Sequence, residues 1–311
     1  DLIEKIKAGE IHALMGRNGS GKSTLFRVIS GMLKLQSGLT LIELMIAGLL
    51  SVIIAYFVGN VVISSNSSAA TNSGSSEAQE SARFISSWLQ EEIRRAGYSP
   101  SVDATTVPSF AAICADPAIV PPAANADCSY DSTMGVAIND RIAIQWVFDP
   151  DTSAARDLLT CTGAAHGLAN QTSVVDVYWI ESGNDNNGYD NELRCVTYNE
   201  DTGLAIGNAQ AIATGIIGLQ VLYGESDGPS AVAGSEELKN VTRYVNATAV
   251  TDWNNVLSTR FSILTRSFSD TPNNPDRRSF ILLDGEPYTF DDQIARYPLT
   301  ITVDLPNKGW R

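Results

Sequence analysis

The longest pattern in the chain is an apolar one. It opens Gly38-Leu39-Thr40-Leu41-Ile42-Glu43-Leu44, and from Leu44 to Ile63 it carries no charge and only one strongly polar residue, Asn60. A single helical crossing of a membrane needs roughly 20 apolar residues, and a helix is the one isolated segment that satisfies its own backbone in lipid. Glu43 sits at the edge of this run, where a carboxylate is costly and normally has both a partner and a purpose. The run that follows, SSNSSAATNSGSSEAQES, has a linker's composition. No proline occurs between Leu39 and Ser99, however, so one helix can continue through it, weakened locally at Gly59, Gly74 and the Asn/Ser cluster.

Helical periodicity returns at 82–96. Ala82, Ile85, Trp88 or Leu89, Glu92 or Ile93 and Ala96 form a stripe suited to packing on a sheet, with Glu91, Arg94 and Arg95 expected to face solvent. Gly97 and Pro100 stop the helix. Residues 99–135, rich in Pro, Ala and Asp, read as a long loop. Alternation then predicts strands over Arg141–Phe148, with Ile142, Ile144, Trp146 and Phe148 on one face, and over Ser173–Ile180, Glu192–Tyr198, Gly215–Tyr223, Ser258–Arg266, Ser279–Leu283 and Leu299–Leu305. A long helix followed by a mainly antiparallel sheet is an α+β fold.

Charge sharpens this division. The net charge is −14, which makes nucleic acid an unexpected partner. Residues 1–38 hold six Lys/Arg and three Asp/Glu, so the remainder holds 15 basic and 32 acidic residues. Basic residues ahead of an apolar helix and an acidic part behind it fit the positive-inside rule, with residues beyond about 64 exported. All four cysteines, Cys114, Cys128, Cys161 and Cys195, fall in that exported part, where disulfides are favoured. Three pairings are possible. Cys114–Cys128 and Cys161–Cys195 are preferred as nearest in sequence. No Cys-x-x-Cys spacing occurs and the exported part has a single histidine, so no metal site is expected.

The first residues carry a different chemistry. Gly16-Arg17-Asn18-Gly19-Ser20-Gly21-Lys22-Ser23 is a phosphate-binding loop, between the strand-like Ile11–Met15 and a helical stretch Ser23–Gly31. In such a loop backbone amides cradle phosphates, Lys22 neutralises them and Ser23 holds magnesium. The segment resembles the start of an ABC-transporter ATPase. The signature and acidic motifs that complete such an enzyme are not found after it, and fewer than 40 residues rarely build a core. Residues 1–31 are therefore expected to be a truncated extension, from a fusion, a misassigned start or a joined fragment, with Met32 the natural start. Gly16, Gly21, Lys22 and Ser23 then form a vestigial nucleotide site. ATP and magnesium are cofactors only if that segment works, and none is expected otherwise.

Residues 32–44 resemble the start of type IV prepilins and type II secretion pseudopilins. The leader, containing Lys34, ends at Gly38, followed by apolar Leu39 and then Glu43. The resemblance implies cleavage between Gly38 and Leu39 by a prepilin peptidase and N-methylation of Leu39. It also implies that Glu43, the fifth residue after the cut, meets the free amine of a neighbouring subunit. A buried carboxylate and a buried ammonium are tolerable only together. Leu39 replaces the more usual Phe.

Further landmarks resemble PilW-type minor pilins over residues 32–311. They are Arg95-Ala96-Gly97-Tyr98, Leu219–Gly224, Arg243-Tyr244 with Trp253 and Val256, Arg260–Leu264 with Arg266, Arg277-Arg278 and Ile301–Val303. The close Asp304-Leu305-Pro306-Asn307 differs from the Arg-Asn ending of that family. The implied architecture is pilin-like: extension 1–31, leader 32–38, long helix 39–97 crossing the inner membrane at about 39–63, and a periplasmic β-rich domain 98–311. The implied role is structural, in priming or building a type IV pilus and so in motility, adhesion or DNA uptake. Its partners are minor and major pilins, prepilin peptidase and the inner membrane. A type II secretion minor pseudopilin, a tip adhesin and an ATP-binding protein are the alternatives.

Catalysis has little support. His166, in the small-residue run 163–167, reads as a surface-loop residue, and no catalytic residue is expected. The loop 183–192 is rich in oxygen donors, but its Asn, Asp and Gly content reads first as a hairpin turn and only second as a calcium loop.

Overall fold

The computed structural model describes residues 17, 21–31, 40–100, 107–111, 128–132, 139–151, 159–183, 189–226, 240–272 and 277–309. The chain divides into two units, Asp1–Val62 and Ile63–Arg311. In the first unit, helix α1 spans Lys22–Ile29. Helix α2 begins at Leu41 and runs unbroken to Ile93, through the Ser/Asn-rich run of linker-like composition. Without proline, each backbone N–H keeps its i−4 partner, and that outweighs the poor local propensities. Its first part leaves Leu41, Leu44, Ile46, Leu50, Ile54, Phe57 and Val61 exposed. Among the described residues it is the one helix long and apolar enough to cross a membrane.

In the second unit, α2 buries Gly74, Ala78, Ala82, Ile85, Ser86, Leu89, Glu92 and Ile93, spaced by three and four as one face requires. The small residues come first because the side chains of Thr265, Ser267 and Thr271 lie against the helix backbone there. A Cβ on Gly74 would approach Thr271 Cγ2 to 2.4 Å, and Thr265 Oγ1 donates to Ala78 O at 2.7 Å. Past Ile93 a turn leads to Gly97 (φ +69°), whose N–H donates to Gln145 O at 2.8 Å. Carbonyls of the turn that follows the helix are satisfied from a residue distant in sequence: Asn307 Nδ2 donates to Arg94 O and Ala96 O, each at 3.1 Å. The unexpected Asp-Leu-Pro-Asn close thus fastens the turn after α2, and Lys308 Nζ adds a bond to Val107 O.

Two antiparallel sheets follow. The first is a meander of β1 (Ile142–Phe148), β2 (Thr172–Glu181), β3 (Glu192–Asn199) and β4 (Ala205–Thr214). The second has the order β10-β7-β5-β6, from β5 (Ile216–Glu225), β6 (Arg243–Val245), β7 (Val256–Asp270) and β10 (Ile294–Asp304). β8 (Arg277–Phe280) and β9 (Tyr288–Asp291) form a separate ribbon. One core joins the α2 stripe to Ile142, Ile144, Trp146, Phe148 and Tyr178 of the first sheet and to Leu219, Val221, Tyr223, Phe261 and Ile263 of the second. Each fully buried Leu or Ile contributes about 1.5–3 kcal/mol. Alternate residues of β2, Val175, Val177 and Trp179, pack into a second cluster on the opposite face with Ala143, Val196 and Tyr198. The ribbon's Tyr288 and the neighbouring Leu282 cover Ile217 and Leu264.

The expected strands are present. β4, β6 and β9 are additional to them, and β8 lies earlier than Ser279–Leu283, because Leu282 turns into the core and Leu283 adopts φ +46°. Arg95 does not face solvent. It pairs with Glu92 at 2.7 Å and lies 4.0 Å over the Trp146 ring. His166 is also buried rather than on a surface loop, between the rings of Trp146 (5.6 Å) and Phe148 (5.0 Å).

Cys161 and Cys195 form a disulfide, with Cα atoms 6.3 Å apart. Cys128 is disulfide-bonded too, while the expected partner Cys114 lies outside the described residues. β2 and β3 pair as a hairpin, and Gly183 N–H donates to Asn191 Oδ1 at 2.9 Å at its mouth. Residues 184–188, including Asp185, lie outside the described residues.

Candidate assembly site at the helix start

Gly38 and Leu39, the expected cleavage pair, and Gly16 of the phosphate loop lie outside the described residues. Glu43 is described, and its environment is specific. Its Oε2 accepts from the Thr40 backbone N–H at 2.8 Å and from the Thr40 hydroxyl at 2.9 Å. Thr40 Oγ1 accepts in return from the Glu43 N–H at 3.3 Å, and Thr40 O accepts the first helical bond, from Leu44 N–H. This is a reciprocal capping box, Thr-x-x-Glu, at the first turn of α2. It satisfies orphan helix donors and places a negative charge at the positive end of the helix dipole. The spacing Thr40-Leu41-Ile42-Glu43 carries that signal in the sequence.

Of the phosphate loop, Gly21 takes the left-handed conformation (φ +81°) just before α1. Lys22 Nζ donates to Arg17 O at 2.6 Å, so this ammonium is turned onto the loop's own backbone. Ser23 is exposed on the first turn of α1.

In the second unit, several of the landmark residues gather around the β6 edge of the second sheet. Gly224 has no room for a side chain, since a Cβ would come within 2.2 Å of Ser258 Oγ and 3.0 Å of Tyr244 Cε1. Into that space packs Tyr244, its hydroxyl 3.0 Å from Ser258 Oγ and its ring under the Arg260 guanidinium at 4.2 Å. Glu225, whose side chain is 1 % exposed, binds Arg243 at 2.8 Å and accepts from the N–H groups of Thr251 (3.0 Å) and Asp252 (2.9 Å). Burial pulls the Glu225 pKa upward, but bonds from Thr251, Asp252 and Arg243 outweigh it and hold the carboxyl below its ordinary range. Trp253 meets the Tyr223 ring edge-on at 4.8 Å.

Residues 177–307 match the family described as Type IV Pilus-assembly protein W. This PilW-like stretch runs from the middle of β2 to Asn307, whose side chain bonds the carbonyls just past α2, and contains every landmark from Leu219 onward. A type IV-like pilin from Thermus thermophilus aligns with 73 % of this chain and 95 % of its own at 11 % identity, with a TM-score of 0.40. Residues 1–100 match the family described as ABC transporter. Curated relatives of that kind align only briefly. A probable ATP-dependent transporter of Synechocystis is 78 % identical over 27 residues, covering 9 % of this chain and 10 % of that protein. The ribose import ATP-binding protein of Hahella chejuensis is 46 % identical over 43 residues, 14 % of this chain and 9 % of that protein. The chain thus spans a tenth or less of the length of these relatives.

Proposed function

We propose that the chain is a minor pilin: a structural, non-enzymatic subunit inserted in the inner membrane through α2, cut between Gly38 and Leu39, and carried into a type IV pilus with residues beyond about 64 on the periplasmic side. The observation that carries this reading is the PilW-like stretch behind a helix whose exposed apolar first part opens with one structured carboxylate. After cleavage and N-methylation, the Leu39 ammonium of an adjoining subunit would meet Glu43. Oε2 is already engaged by Thr40, and the second carboxylate oxygen would serve the ammonium. Motility, adhesion or DNA uptake would follow from the fibre rather than from chemistry on this chain, and the partners are other pilins and the prepilin peptidase. Residues 1–31 are read as an extension outside this role. The short span shared with ATPases and the inward turn of Lys22 support that.

Lys22→Ala separates this reading from nucleotide use. Fibres sheared from cells should contain the variant at the wild-type level, and the purified full chain should show no nucleotide-dependent change in melting temperature. A nucleotide-induced shift that Lys22→Ala removes, together with loss of the variant from fibres, would assign the phosphate loop a working role instead.

A further inference from the structure

Three side chains from the first sheet converge where β2 begins. Gln145 of β1 is buried, Ser173 of β2 is half-buried, and Glu200, just past β3, is exposed. Gln145 Nε2 donates to Ser173 Oγ at 3.2 Å and to Glu200 Oε2 at 2.5 Å. The Ser173 hydroxyl donates to that same Glu200 oxygen. One carboxylate oxygen therefore touches both a hydroxyl and the nitrogen of a primary amide. The backbone holds all three in place. Val147 lies opposite Ser173 and Gln145 opposite Val175, so Gln145 and Ser173 are diagonal neighbours on one face. Glu200 N–H donates to Ser173 O at 2.9 Å, and Gln145 N–H donates to Ser109 O at 3.0 Å.

We propose that this cluster is a self-processing cross-link site: Ser173 Oγ attacks the side-chain amide carbon of Gln145, which joins β1 to β2 through an ester and releases ammonia. A hydroxyl, a base in hydrogen-bond contact with it and an acyl group beside both are the parts of a nucleophilic acyl transfer. Glu200 takes the proton from Oγ as the C–O bond forms. It hands that proton to the Gln145 nitrogen as the C–N bond breaks, so the nitrogen leaves as ammonia. Amide plus hydroxyl gives ester plus ammonia, with no oxidant, water or cofactor consumed. An oxygen in contact with both the donor and the acceptor of the proton can serve as base and then as acid. The terminal torsion of a glutamine is broad, and rotation about it turns the face of the amide carbon toward Oγ.

The reaction occurs once per molecule and needs no turnover. Ammonia departs past the exposed Glu200, and its dilution into solvent makes the step one-way. The product ties together positions 28 apart in sequence. It does so at a place where a tie has a mechanical use. β1 is an edge strand of its sheet. It also receives the chain from α2, since Gly97 N–H donates to Gln145 O and Val147 N–H to Tyr98 O, each at 2.8 Å. A pull along the helix therefore reaches the sheet at β1. The ester would lock that strand to β2, as the Cys161–Cys195 disulfide locks the β1–β2 connection to β3.

The test is mass spectrometry of the full chain, purified in detergent, held folded, then denatured with its disulfides reduced. Wild type should have lost one ammonia. After trypsin, peptides 142–156 and 157–194, which carry Gln145 and Ser173, should be recovered joined. Hydroxylamine should separate them and leave a hydroxamate at position 145. Ser173→Ala and Glu200→Gln alter side chains outside the buried core, and both variants should keep the ammonia and yield two separate peptides. Separate wild-type peptides of full mass would overturn the proposal. So would an ammonia loss that persists in Ser173→Ala, or a wild-type position 145 found converted to glutamate with no link to Ser173.

Discussion

Replacing Glu43 by alanine is expected to remove the chain from assembled fibres while leaving it in the membrane. Two effects combine. The reciprocal bonds with Thr40 disappear, which weakens the helix start by about 0.5–2 kcal/mol, the range of a lost cap. The larger effect falls on the proposed ammonium of the adjoining subunit. Left without its counter-charge in an apolar layer, it would cost about 3–5 kcal/mol, the penalty of breaking a buried pair. A loss on the order of a hundredfold or more in incorporation follows from 1.4 kcal/mol per factor of ten. Glu43→Gln separates the contributions. Its amide oxygen can still accept from Thr40, so the helix start survives, yet the charge is gone. It should fail almost as completely as alanine. Sheared-fibre and membrane fractions, probed side by side, read both outcomes.

The second large effect is inside the β-rich unit. Trp146 is fully buried in β1, and three groups depend on it. Its Nε1–H donates to Asp176 Oδ2 at 2.8 Å, its face supports the Arg95 guanidinium, and its edge packs against His166. Asp176 also accepts from Thr197 Oγ1 at 2.5 Å and lies 3.7 Å from Arg95. Trp146→Ala should destabilise by about 3–5 kcal/mol through the cavity alone, with more from a buried carboxylate that has lost a donor. Trp146→Phe fills most of the space and removes only the donor, so about 1–3 kcal/mol is expected, the cost of an unsatisfied buried group. Denaturant unfolding of the full chain in detergent, following the fluorescence of the remaining tryptophans, gives both values. Equal losses in the two variants would mean that packing around Trp146 is not what joins the helix end to the sheet.

Much of this architecture is legible in the residues. Periods of 3.6 and 2 expose the α2 stripe and the faces of β1, β2, β5 and β7, because each of those elements buries one continuous set of large side chains. β4 escapes such a reading. Ala205–Thr214 is made of small and polar residues, and its strand form follows from pairing with β3 rather than from its own propensity. Arg95 and His166 escape for a related reason. Helical position marks Arg95 as outward, and flanking small residues mark His166 as loop-borne, but aromatic rings distant in sequence cover both. Asn307 departs from the family ending and fastens the turn after a helix more than 200 residues earlier, a long-range partner that no local pattern encodes. The Thr40–Glu43 box is the opposite case, a local signature visible in four residues.

The proposed cleavage after Gly38 fixes where the mature chain begins. Intact-mass and peptide mass spectrometry of the protein recovered from native fibres addresses it most directly. The predicted result is an amino-terminal peptide starting at N-methylated Leu39, with Glu43 five residues into the mature chain and nothing of residues 1–38 present. Fibre-borne protein that still carries Lys22 and Gly38 ahead of Leu39 would contradict it.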